Sequence, residues 1–327
     1  MRLTVLIGML FLFAVNAHAA DPILIRFSHV TSEATPKGLG AALFKKLAED
    51  RLQGKVRVEI YPRALKFNDD QALLALLFGD IELAAPSFAK FRSFSRQIQV
   101  FDLPFLFSDV DAVNRFQRSE AGRQLLDSML PQEIKGLAYW DNGMRVMSAN
   151  RPLRTPKDLK RLRFRIEPSA VMQAQYRALG AATVPMPFGQ VREALKMGLV
   201  TGQENAWSNI RSQGFHDFQK YFTEARHSFL GYMLVTSANF WTTLPPEIRI
   251  ELEKIIQEVT VAVNKNAREK AKTDRQQVID SKKAEVITLT DAELEDWRTL
   301  LKPIWKQFEP QIGKEIMEQA IKADQMR

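Results

Sequence analysis

Arginine is the residue type whose spacing says most about chemistry in this chain. Arg161, Arg163 and Arg165 alternate with Leu162, Phe164 and Ile166, so a strand here would have one apolar face and one face carrying three guanidinium groups. A guanidinium held at a strand end beside a cleft can grip a carboxylate through two parallel charge-assisted hydrogen bonds. Arg145, just past Asn142-Gly143, is a second group of this kind. Exposed arginines are more often solvated surface charges, and spacing alone leaves both readings open. The segment Gly202-Gln203-Glu204-Asn205-Ala206-Trp207 sets amides beside an aromatic ring at a strand end. That arrangement can orient a polar ligand, or it can be an ordinary loop.

Groupings suited to catalysis are not found. Beyond residue 20 the histidines are His29, His216 and His227, at no metal-ligand spacing, and the chain has no cysteine. No nucleophile elbow, Walker A loop or complete dinucleotide fingerprint occurs; Gly38-Leu39-Gly40 lacks its third glycine. Asp69 and Asp70 could pair for acid–base work, but Asn68 before them reads better as a helix N-cap followed by first-turn acids. The residues point to binding, with no catalytic residue, metal ligand or cofactor expected.

The elements that must position these groups alternate between strand-length apolar runs and helical patterns, the rhythm of an α/β fold. A strand is expected at 23–30, and a helix opened by Thr35-Pro36 at 36–52. A strand at 55–62, a helix near 68–78 and a strand near 81–86 follow, with an apolar stretch at 101–107. From Arg145 the pattern restarts, with strands to Ala149 and at 162–166, a helix near 169–179 and a further strand–helix–strand through Asn205. This predicts a second α/β lobe, joined to the first by strands or very short hinges. Between Pro246 and Lys283, 38 residues run without an internal Gly or Pro. A continuous helix of that length would extend about 57 Å and must touch both lobes. Two helices broken near Asn264–Asn266 fit the same pattern. A short strand near 285–289 and the capping box of Thr290 and Glu293 precede a C-terminal helix.

Met1 to Ala20 has a charged start, a short apolar core and the small-x-small triplet Ala17-His18-Ala19. It reads as a secretory signal, removed to leave a protein that does not span a membrane. The formal charge is +8, spread along the chain with no basic block interleaved with aromatics, so nucleic acid is not an expected partner.

At these residues the sequence resembles the solute-binding proteins of tripartite ATP-independent periplasmic (TRAP) transporters, and most closely their C4-dicarboxylate-binding branch. The resemblance covers nearly the whole chain after the signal. It is carried by Phe27-Ser28-His29-Val30, Thr35-Pro36-Lys37-Gly38, Ala84-Ala85-Pro86-Ser87, Asp102-Leu103-Pro104-Phe105-Leu106-Phe107, Trp140-Asp141-Asn142-Gly143-Met144-Arg145, Phe164-Arg165-Ile166 and Gly202-Gln203-Glu204-Asn205.

The resemblance implies a two-lobed periplasmic binding protein fold with a ligand cleft between the lobes. The lobes would comprise 21–142 plus 231–270, and 143–230 plus 271–327, crossed by the long helix. It implies an organic acid as ligand, with Arg165 as its main carboxylate partner and Arg145 and Asn205 completing that grip. Lys37, Ser87 and His29 are the candidates for a second carboxylate, although a solvated helix-end lysine is an equal reading of Lys37. Trp207 stands where many relatives carry Pro and bears on the shape of the cleft wall. The expected ligand is succinate, malate or fumarate, delivered to small and large TRAP membrane subunits. A 2-oxo, aromatic or sugar acid, or a ligand-sensing role in the periplasm, are the alternatives.

Overall fold

The structure is a computed structural model that describes residues 21–326; the expected signal segment at 1–20 lies outside the described residues. Two sheets make up the frame. The first comprises β1 (Ile23–Ser28), β2 (Val56–Tyr61), β3 (Leu83–Ala84), β4 (Ile134–Met144) and β10 (Phe229–Ser237). The second comprises β5 (Val146–Ala149), β6 (Arg163–Ile166), β7 (Ala182–Pro185), β8 (Gly202–Asn205), β9 (Tyr221–Glu224) and β11 (Glu285–Thr288). The strand orders are β2-β1-β3-β10-β4 and β11-β9-β5-β8-β6-β7. β1 runs parallel to β2 and β3, while β10 runs antiparallel to β3 and β4.

The helices form where the sequence signals place them. Helix α1 (Pro36–Arg51) has Thr35 as its N-cap, accepting from the Gly38 amide, and Pro36 at its first position. Helix α2 (Asp69–Phe78) begins with the full capping box of Asn68 and Gln71 and ends at Gly79 in the left-handed conformation. Asp69 and Asp70 are thus first-turn acids. Helices α3 (Val110–Arg118) and α4 (Glu120–Asp127) complete the first lobe's inserted layer. In the second lobe lie α5 (Ala170–Ala178), α6 (Val191–Lys196) and α7 (Trp207–Gln213), and α8 (Ala238–Thr243) follows β10. The stretch from Phe101 to Phe107 is 3-10 and turn structure rather than a regular element, with Phe105 at φ 56°.

Helix α9 (Pro246–Asp280) is one continuous element of 35 residues, which excludes the broken alternative. Its Ile248, Leu252, Ile255, Val259 and Val263 stripe packs against α1 and the first sheet, in a core with Phe27, Phe44 and Trp140. The approach is close: a Cβ on Gly40 would stand 2.3 Å from a Val263 methyl. Farther along, Val278 joins the core of the second lobe with Ile210, Phe215 and Phe222. Among the described residues no helix is long and apolar enough to cross a membrane.

Three helices close the chain where one was expected: α10 (Asp291–Leu301), α11 (Ile304–Ile312) and α12 (Lys314–Gln325). Helix α10 stays with the second lobe, to which residues 271–327 were assigned, its Trp297 indole donating to the Arg154 carbonyl, but α12 does not. In α12, Asp324 accepts from the Ser108 amide, the Ala323 carbonyl accepts from Arg115, and Gln319 accepts from the Ala121 amide. The last helix is therefore fastened to α3 and α4 of the first lobe.

Two extended segments carry the chain between the sheets. β4 passes through Gly143, at φ 133°, and Arg145 into β5, and β9 returns through residues 225–228 into β10. The crossings are tied together where the Arg145 amide donates to the Ser228 carbonyl at 2.8 Å.

Candidate functional site

The residues with chemical potential converge where the two lobes face one another. Arg165 stands at the end of β6, whose Phe164 and Ile166 anchor the apolar face in the core. Its Nε and Nη2 donate to the Met186 carbonyl at 3.1 and 2.7 Å, which fixes the direction of the guanidinium. Lys37, in the first turn of α1, reaches across to donate to the Ala85 carbonyl at 2.8 Å, with Nζ 3.8 Å from the centre of the Tyr232 ring. Lys37 is 0% and Arg165 1% exposed. Neither makes an ion pair with a carboxylate among the described residues. Burial lowers the pKa of both, opposed by Glu167 and Asp69. Two desolvated cations with no ion pair, balanced only by Glu167 and Asp69 at longer range, remain able to take up anionic groups.

Arg145 is equally buried but already engaged. It donates to the Glu167 carboxylate at 2.7 Å and lies 3.5 Å from Glu204. Burial opposes its charge, but Glu167, Glu204 and Asp102 together raise its pKa. Glu204 in turn accepts from the Tyr176 hydroxyl at 2.5 Å and meets His227 Nε2 at 2.6 Å. For Glu167, burial opposes ionisation; Arg145, Arg165, Lys90 and the Ser87 hydrogen bond prevail and hold its pKa at about 2.

Asn205 ends β8 beside this cluster. Its Oδ1 accepts from Asn209 Nδ2 at 2.7 Å, leaving the amide nitrogen without a hydrogen bond among the described residues. Asn209 Nδ2 also donates to the Tyr232 hydroxyl at 3.1 Å, and Asn142 donates to the same oxygen at 2.8 Å. Tyr232 therefore receives two amides at its hydroxyl while its ring lies beneath Lys37. It links the Lys37 end of the cleft to the Asn205 end.

Ser87 and His29 lie on the Lys37 side. Ser87 Oγ donates to Glu167 at 2.5 Å, so its hydroxyl bridges the lobes. His29 lies 3.4 Å from the Thr31 hydroxyl through Nδ1, and its buried Nε2 has no hydrogen-bond partner. Burial, then the Lys37 charge, lowers its pKa to about 3, so the ring is neutral at ordinary pH. A second lobe-to-lobe bond mirrors the first: Ser169, the N-cap of α5, donates to Asp102 at 2.7 Å.

Trp207 adjoins Arg145 rather than Lys37, Ser87 and Arg165. Its indole donates to Glu224 at 3.0 Å and packs 5.7 Å from Phe222. With Asn142, Arg145, Ala267 and Ala271 it lines a cavity of about 390 Å³ against α9 that Lys37, Ser87 and Arg165 do not border. Six of the seven expected residues, Arg165, Arg145, Asn205, Lys37, Ser87 and His29, thus gather at the lobe interface. Glu167, Glu204, Tyr232 and Asn209 belong to the same cluster and were not singled out. Glu167 was signalled by its spacing, two residues past Arg165 and so on the same strand face. The place of Tyr232 follows from pairing of β10 with β4, which no local pattern reveals.

The chain matches the family model of the bacterial extracellular solute-binding proteins, family 7, over residues 27–311. It is 44% identical to the C4-dicarboxylate-binding periplasmic protein DctP of Shewanella loihica, over 95% of this chain and 93% of that protein. Among solved structures, a TRAP periplasmic solute-binding protein from Shewanella oneidensis with bound succinate superposes with a TM-score of 0.92. It is 46% identical, covering 93% of this chain and 99% of that one. Another from Pseudomonas aeruginosa, with bound L-malate, gives a TM-score of 0.86 at 46% identity, over 88% of this chain and 100% of that one.

Proposed function

This chain belongs to the bacterial extracellular solute-binding proteins of family 7, and on that footing we propose that it captures a C4-dicarboxylate in the periplasm. It is the solute-binding subunit of a TRAP transporter, and it binds its solute without transforming it. Succinate, malate and fumarate are the expected ligands, and the loaded protein docks on the small and large membrane subunits.

One observation carries the reading of the ligand as a dianion. Lys37 and Arg165 approach the cleft from opposite lobes, both desolvated and both without a carboxylate partner. One ligand carboxylate takes the Arg165 guanidinium, supported by the Asn205 amide; the other takes Lys37, with Tyr232 and His29 beside it. Both charges are satisfied together only when the lobes close around the ligand. Closure therefore draws its driving force from contacts that the open form lacks.

The test is thermal unfolding of the protein, without its signal, against a panel of organic acids. A ligand at 100 times its dissociation constant stabilises by about 2.7 kcal/mol. Succinate, malate or fumarate should raise the midpoint, while their monocarboxylate analogues at equal concentration should not. A shift with a sugar acid or 2-oxo acid and none with any C4 diacid would overturn the reading.

A further inference from the structure

Glu167 is a carboxylate built into the cleft that is to receive carboxylates. It follows β6 on the same face as Arg165 and is itself buried. Its Oε1 accepts from Ser87 of the opposite lobe at 2.5 Å, and its Oε2 accepts from Arg145 at 2.7 Å. Its charge also acts at longer range on Lys37 and Arg165, the two buried cations that make no ion pair. An anion fixed among these groups satisfies part of their attraction before any ligand arrives.

We propose that Glu167 is a specificity-determining residue that sets how strongly the cleft prefers a dianion over a monoanion of the same shape. This rests on the dicarboxylate reading above. With Glu167 charged, Arg145 and Ser87 are taken by the protein, and the ligand meets Lys37 and Arg165 against a nearby negative charge. A neutral residue of the same shape removes that repulsion. Each ligand charge then gains, so a ligand with two gains more than a ligand with one.

Succinate and succinamate separate charge from shape, since the second replaces one carboxylate by an amide of similar size. Titration calorimetry on the wild type and Glu167→Gln should show succinate bound roughly tenfold more tightly in the variant. Succinamate should change by less than about threefold, widening the ratio between the two. Ser87→Ala, which loses the bond between lobes but keeps the charge, should change both ligands by a similar factor. Its unfolding midpoint and that of Glu167→Gln, measured without ligand, report whether each variant is folded.

Weaker or unchanged succinate binding in a folded Glu167→Gln protein would overturn the proposal. So would an equal change for both ligands, or the same charge-graded response from Ser87→Ala. A wild type that ignores succinate would sink the dicarboxylate reading and this proposal together. A wild type that binds it, with no charge-graded response in the variant, sinks this proposal alone.

Discussion

The hydroxyl of Ser87 and the carboxylate of Glu167 meet at 2.5 Å across the two lobes, though 80 positions separate them in the chain. The contact exists only when the lobes are together. It accompanies the near-complete burial of Lys37, Arg165, Arg145 and Asn205, and most expected effects of substitution follow from that burial.

Arg165→Ala should weaken dicarboxylate binding by roughly 2–5 kcal/mol, since a buried ligand carboxylate loses its charged partner. The unliganded protein should unfold at the same temperature or higher, because the desolvation of the buried guanidinium outweighs its attraction to Glu167. Calorimetry and a thermal melt on one sample check both. Affinity within a few fold of wild type would reject the role.

Lys37→Met keeps length and apolar bulk while deleting the charge. Succinate affinity should fall at least tenfold, by roughly 1.4 kcal/mol or more, while the unliganded melting temperature rises. If Lys37 instead served as a structural tie to the Ala85 carbonyl, the variant would melt lower than wild type.

Tyr232→Phe leaves Asn142 and Asn209 without their shared acceptor. Orphaning buried amide donors costs about 1–3 kcal/mol. The loss should appear both in folding stability and, through Asn205, in ligand affinity. Urea unfolding with and without succinate separates the two effects.

Trp207→Phe should behave differently, since the indole faces Glu224 and the cavity along α9. Loss of the hydrogen bond to Glu224 and of packing on Phe222 lowers the melting temperature. The dissociation constant for succinate should stay within about twofold, as expected for a residue outside the cleft. A large affinity change would place the ring against the ligand instead.

The pH dependence of stability follows from two buried acids. Burial raises Asp102 to about 7, against Arg145 and the Ser169 hydrogen bond, and raises Asp141 to about 6, against the Asn114 hydrogen bond. Both start from 3.8, so between about pH 4 and 7 the folded state holds protons that the unfolded chain has lost. These two acids make stability fall as pH rises through that window, while His29, lowered from 6.5 to about 3, opposes them below about pH 6.5, so the unliganded protein loses stability with rising pH less steeply than the acids alone would give. Glu167, with its pKa lowered from 4.5 to about 2, acts in the opposite sense and only at lower pH: its contribution is lost as pH falls from 4.5 towards 2. Urea unfolding between pH 4.5 and 8 checks the slope, and Asp102→Asn should flatten its upper half.

Local sequence made much of this legible. Caps at Thr35, Asn68 and Thr290 mark helix starts because a side-chain oxygen must satisfy otherwise unpaired amides. The run without Gly or Pro marks α9 for a similar local reason. Alternation with Phe164 and Ile166 fixed which face Arg165 takes, but only the resemblance singled it out from Arg161 and Arg163. What stayed hidden depends on distant pairing. Trp207 follows Asn205 closely, yet the start of α7 turns its ring away from the cleft, and burial of Lys37 depends on Tyr232 arriving from far along the chain. The docking of α12 on α3 and α4 is likewise a matter of which surface remains uncovered.

The place of β10 between β3 and β4 has a consequence for how the chain is made. The first lobe needs a strand that begins at Phe229, while its other four strands end by Met144. An emerging chain shorter than this has β3 and β4 with nothing between them, and its α1 core lacks Leu234 and the whole α9 stripe. Such non-local pairing is slow to form. Neither lobe therefore has all its strands until late in synthesis, the first waiting for β10 and the second for β11. That delay suits a polypeptide threaded unfolded through an export channel, because no finished lobe forms to block the passage.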